Sequence, residues 1–386
     1  MDQPDPQRMR QDLATLVAYD TQNPPGHEAE AARFVGDRMA EVGLVVSRDE
    51  YGPGRVNVVG RLDNGPGPVF AFNTHIDVVP FGDGWTSDPL VLTERDGRYF
   101  GRGTVDCKGP LAAMLEAIRM LAANRDAWSG TLLGVFVADE EVASAGARRF
   151  AAGRPSVDFA VVGEPTANRV VIAHKGSMRP LVRVSGVTAH SSTPDLGENA
   201  IYAAARLIGM VEDFHRDVVR HRTHPLVGSA SLTITRCGAG VADNVVPDRC
   251  DLLLDRRLVP GEDEAAAKAE IEALLAEART RHGVRAEVLE YRPTTGGATE
   301  IAADRPIVTA ALAASVRHGA ADGGPMGFQG ACDLVHFRSI GADGVVIGPG
   351  DLAVAHKPDE FVPIDAFVRS SLIYRDVALA MLGGPR

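Results

Sequence analysis

Apolar residues recur at helical spacing between residue 11 and about 43, at Leu13, Leu16, Val17, Ala32, Phe34, Val35 and Met39, with a break at Asn23-Pro24-Pro25-Gly26. Two helices joined by a loop are predicted. Short runs rich in β-branched residues follow at 56–59, 69–73, 132–137 and 159–162, and another comes late, at 344–347. Apolar runs without alternation belong to strands buried on both faces. Between the second and third runs, Pro110 opens a segment in which Leu111, Met114, Leu115, Ile118 and Leu121 form one apolar helical stripe. Strand, helix, strand is the pattern of a βαβ unit. The predicted fold class is therefore α/β, a largely parallel sheet flanked by helices, in which ligands bind at the carboxyl ends of strands.

The pattern changes after Gly176. Leu181, Arg183 and Ser185 alternate with Val182 and Val184, a helix is predicted over 198–214, and strands are predicted over 230–235 and 251–257. A strongly helical segment at 262–280 and a strand at 286–291 complete the order β-α-β-β-α-β, that of a ferredoxin-like sandwich. After the loop Pro293-Thr294-Thr295-Gly296-Gly297 the helices at 306–317 and 333–340 and the late strand return to the first style. Residues 177–292 are thus expected to form an inserted domain, and 1–176 with 293–386 a discontinuous α/β domain.

A length of 386 residues suits two or three domains, and a 45% hydrophobic share with 24% charged residues is that of a folded chain. The net charge of -11 argues against nucleic acid or an anionic membrane as a partner, since both need a basic surface. No eighteen-residue apolar run occurs, and the N-terminus MDQPDPQRMRQDL lacks an apolar stretch behind a basic patch, so a cytoplasmic location is expected. Cys107, Cys237, Cys250 and Cys332 form no C-x-x-C pair, which leaves reduced thiols rather than a disulfide framework or a cysteine zinc site.

Charged and imidazole groups collect where the buried runs end. The run at 69–73 leads into His75 and Asp77, two residues apart and on the same side of an extended chain; a carboxylate in that place suits a histidine that ligates metal. Asp106 lies in a glycine-rich loop just before Pro110, where it reads equally as a helix N-cap. The Gly101-Arg102-Gly103 sequence is no dinucleotide loop, because no strand leads into it and the third glycine is misplaced. The run at 132–137 ends in Asp139-Glu140-Glu141, and that at 159–162 in Gly163-Glu164-Pro165; adjacent carboxylates repel unless a cation holds them, although solvated acidic turns are common. Four such strand ends or flanking loops, offering His75, Asp106, Glu141 and Glu164, with His356 after the late strand, together suggest a metal site.

The ordered motifs Thr74 to Pro80, Trp85 to Pro89, Gly101 to Gly109, Asp139-Glu140-Glu141, Gly163-Glu164-Pro165, Ala189 to Ser192 and Ala355-His356 resemble those of the M20 metallopeptidases and deacylases over almost the whole length. The resemblance implies two zinc ions, replaceable by Co²⁺ or Mn²⁺, bridged by Asp106, with His75 and Glu164 on one and Glu141 and His356 on the other. It implies that Asp77 orients His75, and that Glu140 takes a proton from a bridging water and passes it to the leaving amine. It further implies that His190 stabilises the oxyanion in a partner's site, and that Asn244, Arg257 and Gly330 contact the substrate. In strand alternation Arg256 faces away from Arg257, whose planar guanidinium suits a substrate carboxylate. Cys107 and Cys332 need no reactive role, and Cys107 reads as a small buried filler.

Glutamate rather than aspartate at Glu164 resembles the deacylase and carboxypeptidase branch. An N-acyl amino acid is the expected substrate, a short peptide the alternative, and a homodimer through the inserted domain the expected assembly. A serine hydrolase is disfavoured by the lack of Gly-x-Ser-x-Gly, and a His-Glu-x-x-His protease by Ala31 where a second histidine would follow His27-Glu28. A non-catalytic relative would be expected to lack a ligand or the base, and this chain keeps the full set.

Overall fold

In a computed structural model describing residues 3–320 and 323–384, the unbroken apolar runs are the inner strands of one mixed sheet. Its order is Val45–Gly52, Arg55–Asn64, Gly130–Val137, Val69–His75, Phe159–Val162, Asp343–Val346, Val171–His174 and Thr299–Glu300. Strands three to six of that order run parallel, and the strands next to them, Arg55–Asn64 on one side and Val171–His174 on the other, are antiparallel to them. Register aligns His75 with Val137, Asn73 with Val162, and Val162 with Val346, so four strands deliver the chain to one edge of the sheet.

Alternation along these strands splits the core between two faces. Ala71, Leu133, Val135, Ala160, Val162 and Val346 pack with Ala147, Leu334 and Phe337, which helices Ala145–Ala152 and Leu334–Ser339 bring to one side. Phe72 points the other way, with its ring 5.9 Å from that of Tyr374 in helix Ile364–Met381. Helix Lys108–Ala123 lies among this C-terminal helix, helix Pro6–Ala18 and strand Val69–His75. It is buried on nearly every side, beyond the single stripe expected from its sequence, because neighbours cover it all round.

The chain forms two units, Met1–Ile172 with Glu300–Phe328 and Cys332–Arg386, and Ala173–Thr299 with Gln329–Ala331. The second has a four-stranded antiparallel sheet in the order Ser231–Ala239, Arg249–Leu258, Gly176–Ser185 and Arg285–Arg292. Val182, Val184, Leu252 and Leu254 meet Leu207, Val211, Leu274 and Leu275 of helices Ala200–Asp217 and Glu264–His282. Each helix starts two residues later than the sequence pattern predicts, since Asn199 and Asp263 are N-caps whose side chains accept backbone N–H groups of the first turn. On the uncovered face Arg183 and Asp251 make a two-pronged pair with both distances 2.8 Å. Among the described residues no helix is long and apolar enough to cross a membrane.

The loop after strand Asp343–Val346 runs hard against the loop after Phe159–Val162. A Cβ on Gly348 would stand 2.4 Å from the carbonyl oxygen of Glu164 and close to its backbone carbon and nitrogen. Only glycine allows this approach. Gly348→Ala is expected to cost roughly 1–3 kcal/mol, the usual penalty of overpacking. Urea unfolding followed by far-UV circular dichroism measures it, and an unchanged midpoint would mean that the two loops part freely.

Candidate metal centre

His75 ends its strand almost wholly buried. Its Nδ1 lies 2.9 Å from the Asp77 carbonyl oxygen and 3.5 Å from the Asp77 carboxylate. A carbonyl oxygen only accepts, so this nitrogen carries a proton and Nε2 is left facing Asp106 Oδ1 at 3.2 Å. The sequence reading gave the orienting contact to the Asp77 carboxylate; the nearer acceptor is the Asp77 backbone. The carboxylate also accepts the backbone N–H groups of Glu140 (3.0 Å) and Glu141 (3.1 Å), which ties the turn after Gly130–Val137 to the His75 strand.

Asp106 sits in the turn that enters helix Lys108–Ala123, and Glu360 holds that turn. One Glu360 oxygen accepts the N–H groups of Val105 (2.8 Å) and Asp106 (3.1 Å); the other receives Arg102 Nη1 at 2.7 Å. Arg102 also lies 5.0 Å from the centre of the Trp85 ring and donates to the carbonyl of Lys357, next to His356. A buried ion pair thereby fixes the Asp106 turn and the His356 loop together.

The two Asp106 oxygens face different histidines. Oδ1 faces His75 Nε2, and Oδ2 lies 3.2 Å from His356 Nε2, which is also 3.1 Å from Glu141 Oε2. Two groups of potential metal-ligating atoms follow, each within 4.8 Å: His75, Asp106, Cys107 and Glu164 in one, and Asp106, Glu141 and His356 in the other. All five expected ligands thus come together around one shared carboxylate. Cys107 joins them, with Sγ 3.1 Å from Asp106 and 3.4 Å from Glu164. Burial, with Glu164 and Asp106 beside it, pushes its thiol well above the usual range, so it acts there as a hydrogen-bond donor.

Charge makes this arrangement costly. Burial and the neighbouring carboxylates push Glu140 and Glu164 well above the ordinary carboxylate range, and burial with Asp106 takes Glu141 to about 7. Burial also works against ionised Asp106, yet hydrogen bonds with His356 and His75 hold it low. His356 is raised to about 10 by Asp106 and Glu141. For His75 burial disfavours the charged ring, but Cys107, Asp106 and Asp77 together raise it well above its ordinary value. The cluster demands positive charge, and Glu141 Oε1 is buried without a hydrogen-bond partner. Imidazole nitrogens and carboxylate oxygens in this combination fit divalent zinc.

The other expected site residues lie in the second unit. His190 and Asn244 are neighbours: His190 pairs with Val245 across two short strands, and Ser191 N–H donates to the Asn244 carbonyl at 3.0 Å. Arg257 is held by Asp255 through Nε (2.7 Å) and Nη2 (3.2 Å), whereas Arg256 is buried on the opposite face with Glu262. Gly330 groups with this unit. Glu360, Arg102 and buried Asp333, whose charge bears on Glu140 and Glu164, went unassigned in the sequence. Glu360 follows His356 by four residues, but nothing local shows that it reaches Asp106.

A family model described as Peptidase family M20/M25/M40 matches residues 71–380. The chain belongs to the M20 family. It is 31% identical to an acetylornithine deacetylase of Myxococcus xanthus, covering 97% of this chain and 98% of that one. It is 29% identical to a probable succinyl-diaminopimelate desuccinylase of Staphylococcus epidermidis, covering 96% of each. Among solved structures, an M20 family metallo-carboxypeptidase of Sulfolobus solfataricus shares its fold, with a TM-score of 0.80, 19% identity and 99% of both chains covered. As an M20 hydrolase this chain gathers groups that could hold a metal ion at the sheet edge where four parallel strands end.

Metal uptake should release protons. Below about pH 7 Glu141 joins the histidines in holding protons, and as pH rises toward 10 that competition fades, so affinity should climb with pH. Calorimetric zinc titration in buffers of different ionisation heat should give buffer-dependent enthalpies; identical enthalpies would contradict the proton count.

Proposed function

We propose that this chain is a two-zinc amidohydrolase that splits the amide bond of an N-acyl amino acid, releasing a carboxylate and a free amine. The observation that carries the reading is Asp106, whose two oxygens each face a different histidine. His75 and Glu164 would hold one cation, Glu141 and His356 the other, with Asp106 shared. When bound, such a pair supplies Lewis acidity toward the scissile carbonyl and the attacking water.

Glu140 is assigned as the general base. Its backbone N–H is anchored on Asp77, while burial and Glu164 raise its carboxyl, which suits a group that carries a proton near neutral pH. It takes the proton of the attacking water and delivers it to the nitrogen as the C–N bond breaks. Asp77 serves by holding both the His75 segment and the Glu140–Glu141 turn. His190 is proposed as the donor to the developing oxyanion, with Asn244 and Gly330 as substrate contacts. Arg257, with Nε and Nη2 committed to Asp255, would offer its remaining guanidinium edge to the substrate carboxylate. The two relatives over nearly full length are named for deacylation, which favours an N-acyl amino acid over a dipeptide.

A homodimer through the second unit is proposed as well. There Leu196, Tyr202 and Val241 are largely exposed, and strand Ser231–Ala239 is an edge of its sheet. Tyr202→Glu is expected to lower the mass found by sedimentation equilibrium from dimer to monomer; a monomeric wild type would rule the assembly out.

The reading is tested by amine release from N-acetyl, N-succinyl and N-formyl amino acids and from dipeptides, using chelated and zinc-reloaded protein. Zinc-dependent release from the acyl series is expected, and cleavage of dipeptides alone would select the peptidase reading. In the same assay Glu140→Ala should keep its zinc and lose about 10²–10⁴-fold or more in kcat. Full turnover in that variant would remove Glu140 from its role.

A further inference from the structure

Behind the ligand groups lies a buried polar hub of which only Asp77 has a role above. Asn23 is 2% exposed, Glu28 and Asp77 0%, and Asp139 8%. The Asn23 amide nitrogen donates one hydrogen to Asp77 Oδ2 at 2.8 Å and the other to Asp139 Oδ1 at 2.9 Å. Its amide oxygen accepts from Arg55 Nη2 at 2.7 Å. The same guanidinium reaches Glu28 at 2.6 Å and Asp139 at 3.3 Å. Gly26 leaves the space: a Cβ there would stand 2.1 Å from Arg55 Nη1.

These contacts fix which way the amide points. Nitrogen faces two carboxylates and oxygen faces a guanidinium; the reverse would set an acceptor against two acceptors and a donor against a donor. Asp77, oriented by Asn23, spreads its other contacts over the N–H groups of Glu140 and Glu141 and over His75. Asp139, the second acceptor, is the residue just before Glu140. One side-chain amide therefore joins the segment carrying His75 to the turn carrying Glu140 and Glu141.

We propose that Asn23, clamped by Arg55 against Glu28, is the positioning residue that keeps His75, Glu141 and Glu140 in register for metal binding and proton transfer. It touches neither metal nor substrate and acts through Asp77 and Asp139. The inference rests on the two-metal reading above. Aspartate, though of the same shape, offers at most one hydrogen where two are needed, so the requirement is for an amide rather than for charge.

The test is metal affinity of the full-length chain by chelator competition, with the visible absorption of the Co²⁺-loaded protein recorded for wild type, Asn23→Ala, Asn23→Asp and Arg55→Lys. Urea midpoints of the metal-free proteins establish that each variant is folded. Positioning predicts weakening on the order of tenfold or more in both Asn23 variants, the scale seen when groups supporting metal ligands are lost. It also predicts an altered Co²⁺ spectrum and a lower kcat with KM unchanged at saturating metal. Asn23→Asp discriminates sharply: if Asn23 merely set the local charge, the added carboxylate would tighten metal binding. Should Asn23→Ala unfold, Asn23→Asp and Arg55→Lys carry the test. Wild-type affinity and spectrum in the folded variants would overturn the inference and leave the two-metal reading intact. A wild type that takes up no divalent metal would overturn that reading, and this inference with it.

Discussion

Four carboxylates, Asp106, Glu140, Glu141 and Glu164, are held where water barely reaches them, and so much negative charge in one place needs positive charge to balance it. The surrounding structure follows from that need. Imidazoles approach from two directions, a thiol donates rather than ionises, and Glu360 holds a turn through backbone N–H groups that point at its oxygen. Asp77 has a comparable task at the Glu140–Glu141 turn. Neither supporting carboxylate faces the cluster unpaired: Arg102 meets Glu360, and Asn23 meets Asp77.

Rigid elements bear these groups. His75, the Glu140–Glu141 turn and Glu164 follow three adjacent parallel strands, and Asp106 opens a helix enclosed on nearly every side. Side chains placed this way lose little further freedom when a ligand arrives, which is why metal centres favour such frames. His356 is the exception, half exposed on a loop with φ of 60°, a conformation that histidine adopts more readily than most residues.

Much of this could be read from the sequence because strand ends have a local signature: an apolar run that stops at His75, at Glu140-Glu141 or at Glu164 shows both the strand and the group it presents. The strand Val45–Gly52 leaves no such signature, because as an edge strand it fully buries none of its residues and carries no unbroken apolar run. The supports were hidden for another reason. Glu360 meets Asp106 across 254 positions, and Asn23 meets Asp139 across 116, so neither pairing leaves any trace in nearby residues. Cys107 reads in the sequence as a small buried filler, and only its distance to Glu164 reveals that its thiol donates into the carboxylate cluster.

Strand Asp343–Val346 lies inside the sheet, between Phe159–Val162 and Val171–His174. Its neighbours are made long before it on the ribosome, and nearly all of the second unit is synthesised in between. The second unit is almost continuous in sequence and can close as soon as it emerges, whereas the first has to wait with a gap in its middle. The order of completion therefore inverts the order of synthesis: the unit begun first finishes last, and His356 arrives only with the strand that closes the gap.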